Sequence, residues 1–259
     1  MRLLTYTPLL AISLSPAIGD CSNFSKCSEV LFQTGRDPMV AEKNESNALS
    51  QILNEYLVNP ENGRFELKGG QQLTATVGSD KDVEVVTKLI HEAFAIWKVD
   101  GLDLGPMHQT IEQTKGHLVG KGLVLRDRDQ IAVGTVSFDI ATIETISDHH
   151  LFYVDNQPLI PYRKLSNVDL NNHRFLIIKR IATHPGISRS GLGTSVLRFA
   201  ENLALALNLD GVALETVKET QWLYDWYTHK NYLTIGTYQY PSRPIETVLK
   251  VKTFGDVRC

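Results

Sequence analysis

The chain has 259 residues, 42% of them hydrophobic and 21% charged, enough to bury a sizeable core in one domain, or in one domain with an extension. A formal net charge of -3 gives no overall electrostatic reason to expect a nucleic acid or an anionic membrane as partner, so any anion site must be local. The three cysteines, Cys21, Cys27 and Cys259, fall outside the regularly patterned stretch and imply neither a disulfide framework nor a C-x-x-C metal site.

The first twenty residues, "MRLLTYTPLLAISLSPAIGD", combine one basic residue, an apolar stretch broken by Pro8, and small residues at Ala17 and Gly19, as in a secretory signal peptide. Two N-x-S sequons, at Asn23 and Asn44, follow in the same segment, and none occurs later. Residues 20 to 70 are polar and mixed, with one helical candidate, "NALSQILNEYLV", whose Leu49, Ile52, Leu53 and Tyr56 share a face. "NPENG" then reads as a turn or linker.

From Leu73 the patterns become regular. "LTATV" reads as a strand, and Ser79 with Asp82 forms a cap signal for a helix in which Val83, Val86, Ile90, Phe94 and Trp97 step by three or four residues. A polar helix or loop, "PMHQTIEQTKGHL", leads to "KGLVLRDRDQIAVGTVSFD", an antiparallel hairpin turning at Asp127 to Gln130. Residues 140 to 172 are less patterned and longer than most connections, and read as an insertion near a binding surface. "RFLIIKRIAT" is a strand, and residues 191 to 207 a helix with Val196, Ala200, Leu203 and Leu207 on one face. A strand "GVALETV", a helix "TQWLYDWYTHK" and a final pair, "YLTIGTYQY" with "IETVLKVKTF", complete an α/β chain with a mixed sheet flanked by helices.

The stretch "IATHPGISRSGLGTS" joins the strand to the helix at residue 191. Gly186 and Gly191 have the spacing of a triphosphate loop, but Leu192 and Gly193 stand where that loop needs Lys and Ser or Thr. The dinucleotide fingerprint fails too, because Gly191 and Gly193 are followed by Ser195 and Val196. What remains is a strand, a glycine loop and a helix N-terminus, which together can hold an anion on unpaired N–H groups. Arg189 and the hydroxyls of Ser188, Ser190 and Thr194 add donors suited to a diphosphate. A tight turn with close helix packing explains the same glycines.

With "LETVKETQWLYDWYTHKNYLTIG" following it, this segment resembles the GCN5-related N-acetyltransferase (GNAT) superfamily over about residues 72 to 255. That family carries R/Q-x-x-G-x-G/A in the loop and a Tyr shortly before a G-F pair. Here Ser188 stands at the Arg or Gln position with Arg189 displaced by one, and Asn231 and Tyr232 replace G-F, so the resemblance is to a divergent member. It implies a GNAT fold for an acetyltransferase domain over 71–259, behind an N-terminal extension over 1–70. It further implies acetyl-CoA as co-substrate, its diphosphate on Ser188, Arg189, Ser190, Gly191, Leu192, Gly193 and Thr194, and its pantetheine arm and thioester beside backbone groups of Ile181, Ala182 and Thr183. Tyr227 aligns with the family's proton donor to the coenzyme A thiolate, with Tyr224 and Tyr232 as competitors.

Amide formation from a thioester needs a neutral amine. An alkylamine of pKa about 10 costs about 4 kcal/mol to deprotonate at pH 7. The family's base positions are Ile177 and Lys179 here, so His173, Asp139, His184 or cleft water are the alternatives. The expected reaction is direct attack of an amine on acetyl-CoA in a ternary complex, with an inactive acyl-CoA-binding or regulatory module of the same fold as the alternative. Asp139, Glu144 and Asp148 are candidates to meet a cationic acceptor. No metal is expected, since Asp148 to His150 lacks further ligands at zinc-like spacing. No nucleic-acid or membrane partner is expected, and the oligomeric state is open. Coenzyme A chemistry favours the cytoplasm, whereas the N-terminus hints at the secretory pathway.

Overall fold

The computed structural model describes residues 38–142, 163–164, 173–239 and 245–255. The signal-like N-terminus, Asn23, the three cysteines, Glu144 and the Asp148–His150 run lie outside them. Helix α1 spans Pro38–Val58, α2 Val83–Ala95, α3 Ile111–Leu118, α4 Leu192–Ala206 and α5 Gln221–His229. The strands are β1 Arg64–Glu66, β2 Gln72–Val77, β3 Gly122–Arg126, β4 Ala132–Thr142, β5 Arg163–Lys164, β6 Arg174–Thr183, β7 Gly211–Val217, β8 Leu233–Gln239 and β9 Glu246–Thr253. No helix among the described residues is long and apolar enough to cross a membrane.

The strands form one sheet in the order β1-β2-β3-β4-β6-β7-β9-β8-β5, antiparallel at every pair except β6 with β7. That parallel pair is joined through α4, as a parallel connection requires. Its two faces bury different sets of alternating residues. On one, Leu123, Leu125, Phe138, Leu176, Ile178, Val212 and Leu214 pack against α1, α4 and α5. On the other, Val124, Ala132 and Ala182 meet Val83, Val86 and Ile90 of α2 and Leu118 of α3. Each fully buried Leu or Ile contributes roughly 1.5–3 kcal/mol.

The N-terminal part of this core lies before residue 71. Leu49, Ile52 and Leu53 of α1, with Phe65 of β1 and Leu67, are buried in the same cluster as Val196, Phe199 and Leu203 of α4. Tyr56 and Phe65 both contact the Phe199 ring, at centroid distances of 5.5 and 5.4 Å. The helix and strand ahead of the boundary at 70/71 are therefore packed as part of the main core. The expected cap is present: the Asp82 carboxylate accepts from the Ser79 N–H at 3.0 Å and its hydroxyl, and also pairs with Arg126 of β3.

One feature of the sheet shapes everything at its centre. β6 and β7 pair only from Phe175↔Gly211 to Ile178↔Leu214, and then part. β6 stays with β4 as far as Gly134↔Thr183, and β7 stays with β9 as far as Val217↔Thr247. The last residues of β6 and β7 thus bound a wedge-shaped opening at their C-terminal ends, the end at which α/β sheets bind ligands.

Candidate functional site

The opening is fixed by a bulge. On β6, Arg180 and Ile181 together face Val136 of β4, between the pairs Ser137↔Lys179 and Thr135↔Ala182. Arg180 takes up the extra residue with φ of +53°, a left-handed conformation costing a non-glycine roughly 1–2 kcal/mol. Its Nε donates to Gln109 Oε1. Gln109, only 3% exposed, is itself held by its Nε2 to Thr114 Oγ1 at 2.9 Å and by its carbonyl against His91 Nε2 at 2.8 Å. Thr114 in turn bonds Thr87 at 2.8 Å, so α2 and α3 together clamp the bulge. Ile181, the second residue of the bulge, and then Ala182 and Thr183 lie on the strand edge that β7 has left.

Beyond Thr183 a 3-10 turn, Pro185–Ile187, leads into the glycine loop. Arg189 is exposed with φ of +63°, and Gly191 caps α4 with φ of +94°, the left-handed region that favours glycine. Leu192 turns its side chain into the core at 2% exposure, leaving its N–H with those of Gly193 and Thr194 in a first helical turn that has no intrahelical acceptors. A Cβ on Gly193 would lie 3.2 Å from the Trp226 ring, so α5 closes against the same turn. Ser190 Oγ and, on β7, Thr216 Oγ1 are buried without any hydrogen-bond partner among the described residues.

A residue that sequence reasoning missed joins this loop. Lys68, in the turn between β1 and β2, donates its N–H to Ser190 O at 2.7 Å, and its Cγ lies 3.4 Å from where a Gly191 Cβ would stand. Ser195 Oγ reaches Glu66 O at 3.0 Å, fastening the same hairpin to α4. The Lys68 side chain is exposed and makes no ion pair among the described residues, so two cations, Lys68 and Arg189, border the loop. No short-range pattern links residue 68 to residue 191; only the folded hairpin brings them together.

The three tyrosines on and after α5 are distinguished by their partners. The Tyr224 hydroxyl lies 3.1 Å from Thr234 Oγ1, with the Lys250 ammonium 3.8 Å above its ring. The Tyr232 hydroxyl donates to Glu201 at 3.2 Å. The Tyr227 ring is packed between Trp226 and Tyr232, and its hydroxyl has no hydrogen-bond partner among the described residues. Burial holds its phenol well above the ordinary value, so it keeps its proton throughout the neutral range.

The side chains nominated as bases are engaged elsewhere. His173 lies at the opposite end of β6 from the opening, 3.4 Å from Asp210. His184 Nδ1 accepts the Gly186 N–H at 3.1 Å and Nε2 lies 3.9 Å from Glu92, so the neutral ring has no spare lone pair for an incoming proton. Asp139 is half-buried, which raises its carboxyl, but Lys179 at 2.7 Å and Lys121 at 3.6 Å outweigh this and hold it below the usual carboxylate range.

Beside this group stands His117 of α3, pushed down to about 4, by burial first and then by Arg180, Lys179 and Lys121, with Asp139 opposing. Its folded value is below the ordinary 6.5, so between those values the unfolded chain takes up a proton that the folded one refuses. Stability from this source is therefore present above pH 6.5 and lost as pH falls to about 4, at most about 3 kcal/mol for a shift of that size. His117→Gln is expected to flatten the acid side of the stability profile in denaturant titrations, and an unchanged profile would refute this origin.

One carboxylate at the opening is uncommitted. Glu215 follows the last β6–β7 pair, in the place that would face Lys179 if the strands continued together. Lys179 instead turns to Asp139. Glu215 shares its face with Ala213 and its cross-strand neighbour Leu249, on the side away from α4. It is half-buried, and its carboxylate makes no hydrogen bond or ion pair among the described residues. No three His, Cys, Asp or Glu side chains among the described residues are grouped to hold a metal.

No family model matches the chain, and no curated protein matches it. Among solved structures it is similar to a GNAT-family acetyltransferase from Streptococcus agalactiae 2603, at 14% identity and a TM-score of 0.51, over 74% of this chain and 100% of that one. It is similar also to a GNAT-family acetyltransferase from Listeria monocytogenes 4b F2365, at 15% identity and a TM-score of 0.50, over 74% of this chain and 99% of that one.

Proposed function

We propose that this chain, whose fold is that of the GNAT acetyltransferases, is an acetyl-CoA-dependent N-acetyltransferase acting on an amine. The observation that carries the reading is the opening between β6 and β7, with a bulged strand edge on one side and a cation-bordered helix N-terminus at its end. The residues present fit an acyl-CoA. Ser190 Oγ is an orphaned donor, and Lys68 and Arg189 supply charge for a diphosphate. Ser188, Gly191, Leu192, Gly193 and Thr194 complete that cradle, chiefly through backbone N–H groups. Residues 71–259 form the acetyltransferase domain, and the segment before them completes its core and its loop.

Acetyl-CoA supplies an acyl thioester, and the transfer forms a C–N bond at the acceptor as the C–S bond breaks, one proton leaving the amine and one being taken up at sulfur. Backbone groups of Ile181, Ala182 and Thr183, exposed by the parting of the strands, hold the pantetheine arm and polarise the carbonyl. The clamp from Gln109 to Arg180 keeps those groups in place. Glu215 takes the proton from the acceptor nitrogen, since its carboxylate is the one at the opening that no described residue engages. Tyr227 donates to the leaving sulfur, being the tyrosine of the three whose hydroxyl is not already bound. No cysteine occurs among the described residues, and the attack is taken as direct.

Calorimetry with acetyl-CoA, joined to a thiol-release assay over an amine panel, tests the reading. Binding with amine-dependent thiol release is expected. Binding without release under any acceptor would make the chain an acyl-CoA-binding module, and no binding would overturn the proposal. Within the loop, Arg189→Ala and Lys68→Ala should each weaken acetyl-CoA about 3- to 10-fold, and together about 30-fold, as expected for exposed charge-assisted contacts. Affinity unchanged in the double variant would remove both cations from the site.

A further inference from the structure

Lys250 of β9 is 0% exposed, a lysine enclosed as completely as the core leucines. Its cross-strand neighbours are Leu214 of β7 and Thr234 of β8. Leu214 belongs to the core that packs against α4 and α5, so the Lys250 side chain stands on that face of the sheet. Nζ donates to Thr228 Oγ1 at 2.9 Å and to Thr234 Oγ1 at 3.0 Å, and lies 3.8 Å from the centroid of the Tyr224 ring. Thr228 Oγ1 gives its own proton to Tyr224 O at 3.0 Å, so toward the lysine it can only accept. Two hydroxyl oxygens and one ring face thus take up the three N–H directions of the ammonium.

No carboxylate is bonded to this nitrogen among the described residues. Asp225 of α5 acts on it through space, and Lys252, two residues along the same face of β9, is bound to Glu201 of α4 at 2.8 Å. β7 and β8 face it with Leu214 and Thr234, neither of which titrates, and the Tyr224 hydroxyl is held by Thr234. Burial pushes the Lys250 ammonium down to about 8, with Asp225 opposing. A methionine would fill much the same space, and exchanging a buried charge for an apolar side chain is often neutral or stabilising. Stability alone therefore does not account for a cation here.

Its contacts converge on one short helix. Tyr224 and Thr228 are four residues apart on one side of α5, and Tyr227 lies between them in sequence. α5 has nine residues and its N-cap, Thr220, makes no side-chain cap bond, so the helix takes its place from what it packs against. On the transferase reading above, we propose that Lys250 is a positioning residue for the proton donor, pinning α5 to β8 and β9 in the rotation that aims the Tyr227 hydroxyl at the leaving sulfur. Apolar contacts would let the helix turn by small steps, whereas hydrogen bonds from one nitrogen to two elements fix its direction. Loss of the ammonium proton removes one of the three contacts. Transfer should therefore fall as pH rises through about 8, while Tyr227 itself stays protonated. Stability should move the other way. The folded value lies below the ordinary 10.5, so between the two the unfolded chain holds a proton that the folded chain gives up, and stability rises with pH across that window.

The test compares the whole chain with Lys250→Met in steady-state kinetics from about pH 6 to 10, with a weakly basic amine that is neutral throughout as acceptor. The variant is expected to lower kcat about 10- to 30-fold with acetyl-CoA affinity unchanged, and to lack the alkaline fall near pH 8. In a Tyr227→Phe background the same substitution should cost less than about 2-fold, because its effect passes through that hydroxyl. A loss of equal size in both backgrounds, or an alkaline fall that is missing from the wild type or survives in Lys250→Met, would overturn the proposal. Denaturant titrations check folding, and Lys250→Met should be at least as stable as the wild type at neutral pH. If it does not fold, Thr228→Val, which removes one acceptor and keeps the shape, is read in the same two backgrounds with the same criteria. Hydrogen exchange needs no turnover: the α5 amides should exchange about 10-fold faster in Lys250→Met, with the rest of the sheet unchanged. Wild-type exchange in α5 would overturn the clamp whether or not the chain transfers acetyl groups. Thiol release missing from the wild type, with α5 loosened in the variant, would defeat the transferase reading and keep the clamp.

Discussion

Replacing Glu215 by Gln is expected to lower kcat for an alkylamine acceptor by roughly a hundredfold to a thousandfold, with acetyl-CoA affinity unchanged. The size follows from the proton inventory. An alkylamine at neutral pH is about three pKa units from its reactive form, equivalent to about 4 kcal/mol, and once the neutral amine attacks, its nitrogen becomes acidic enough for a carboxylate in contact to accept the proton as the bond forms. The effect should therefore depend on the acceptor. Aromatic or other weakly basic amines, already neutral in the assay, should lose less than about 10-fold in the same variant. Glu215→Asp should retain part of the activity by keeping the carboxylate a methylene further back. Equal losses for strongly and weakly basic amines would show that Glu215 serves structure instead, and undiminished kcat with alkylamines would return the proton to water.

Tyr227→Phe should lower kcat by about a hundredfold with little change in acetyl-CoA affinity, because the ring is kept and only the donor is removed. Burial raises this phenol above its ordinary range, so it stays protonated but yields its proton reluctantly. A hydrogen bond that strengthens as charge builds on sulfur is then its main contribution, and full transfer follows once the C–S bond is broken. An acyl donor with a more acidic leaving thiol should accordingly be less sensitive to the variant. The competing tyrosines supply an internal control. Tyr224→Phe removes a hydroxyl that already bonds Thr234, and Tyr232→Phe one that bonds Glu201, so both should act on stability more than on kcat. Tyr227→Phe with wild-type turnover would pass the donor role to a water molecule.

Much of the architecture was legible in the residues. Val83, Val86 and Ile90, and Val196, Ala200, Leu203 and Leu207, mark buried faces by helical spacing alone, and all seven are buried. Ser79 and Asp82 announce the start of a helix and form the cap between them. The α/β order and the mixed sheet follow from those patterns, and the GNAT fold is what the resemblance carried by the glycine loop and the segment around Tyr227 implied. Strand β1 was not legible. With Phe65 as its one buried residue in three, it carries too little alternation to stand out from the linker around it, and it exists because β2 and α4 offer Phe65 a place to be buried. The extension before residue 71 read as separate for the same reason, since its apolar residues find their partners, such as Phe199, more than a hundred residues away.

By itself the sequence determined the local elements and the faces they bury, because these depend on side-chain period and on residues a few positions apart. Tertiary structure alone decided which groups are free to act. Lys68 reaches the loop at Gly191 only through the β1–β2 hairpin. Asp139 is committed because Lys179 crosses to it, and the Glu215 carboxylate, where β6 and β7 part, has no ion pair among the described residues. The availability of a carboxylate or phenol is set by which long-range neighbour satisfies it, and such pairings carry no periodic signal along the chain.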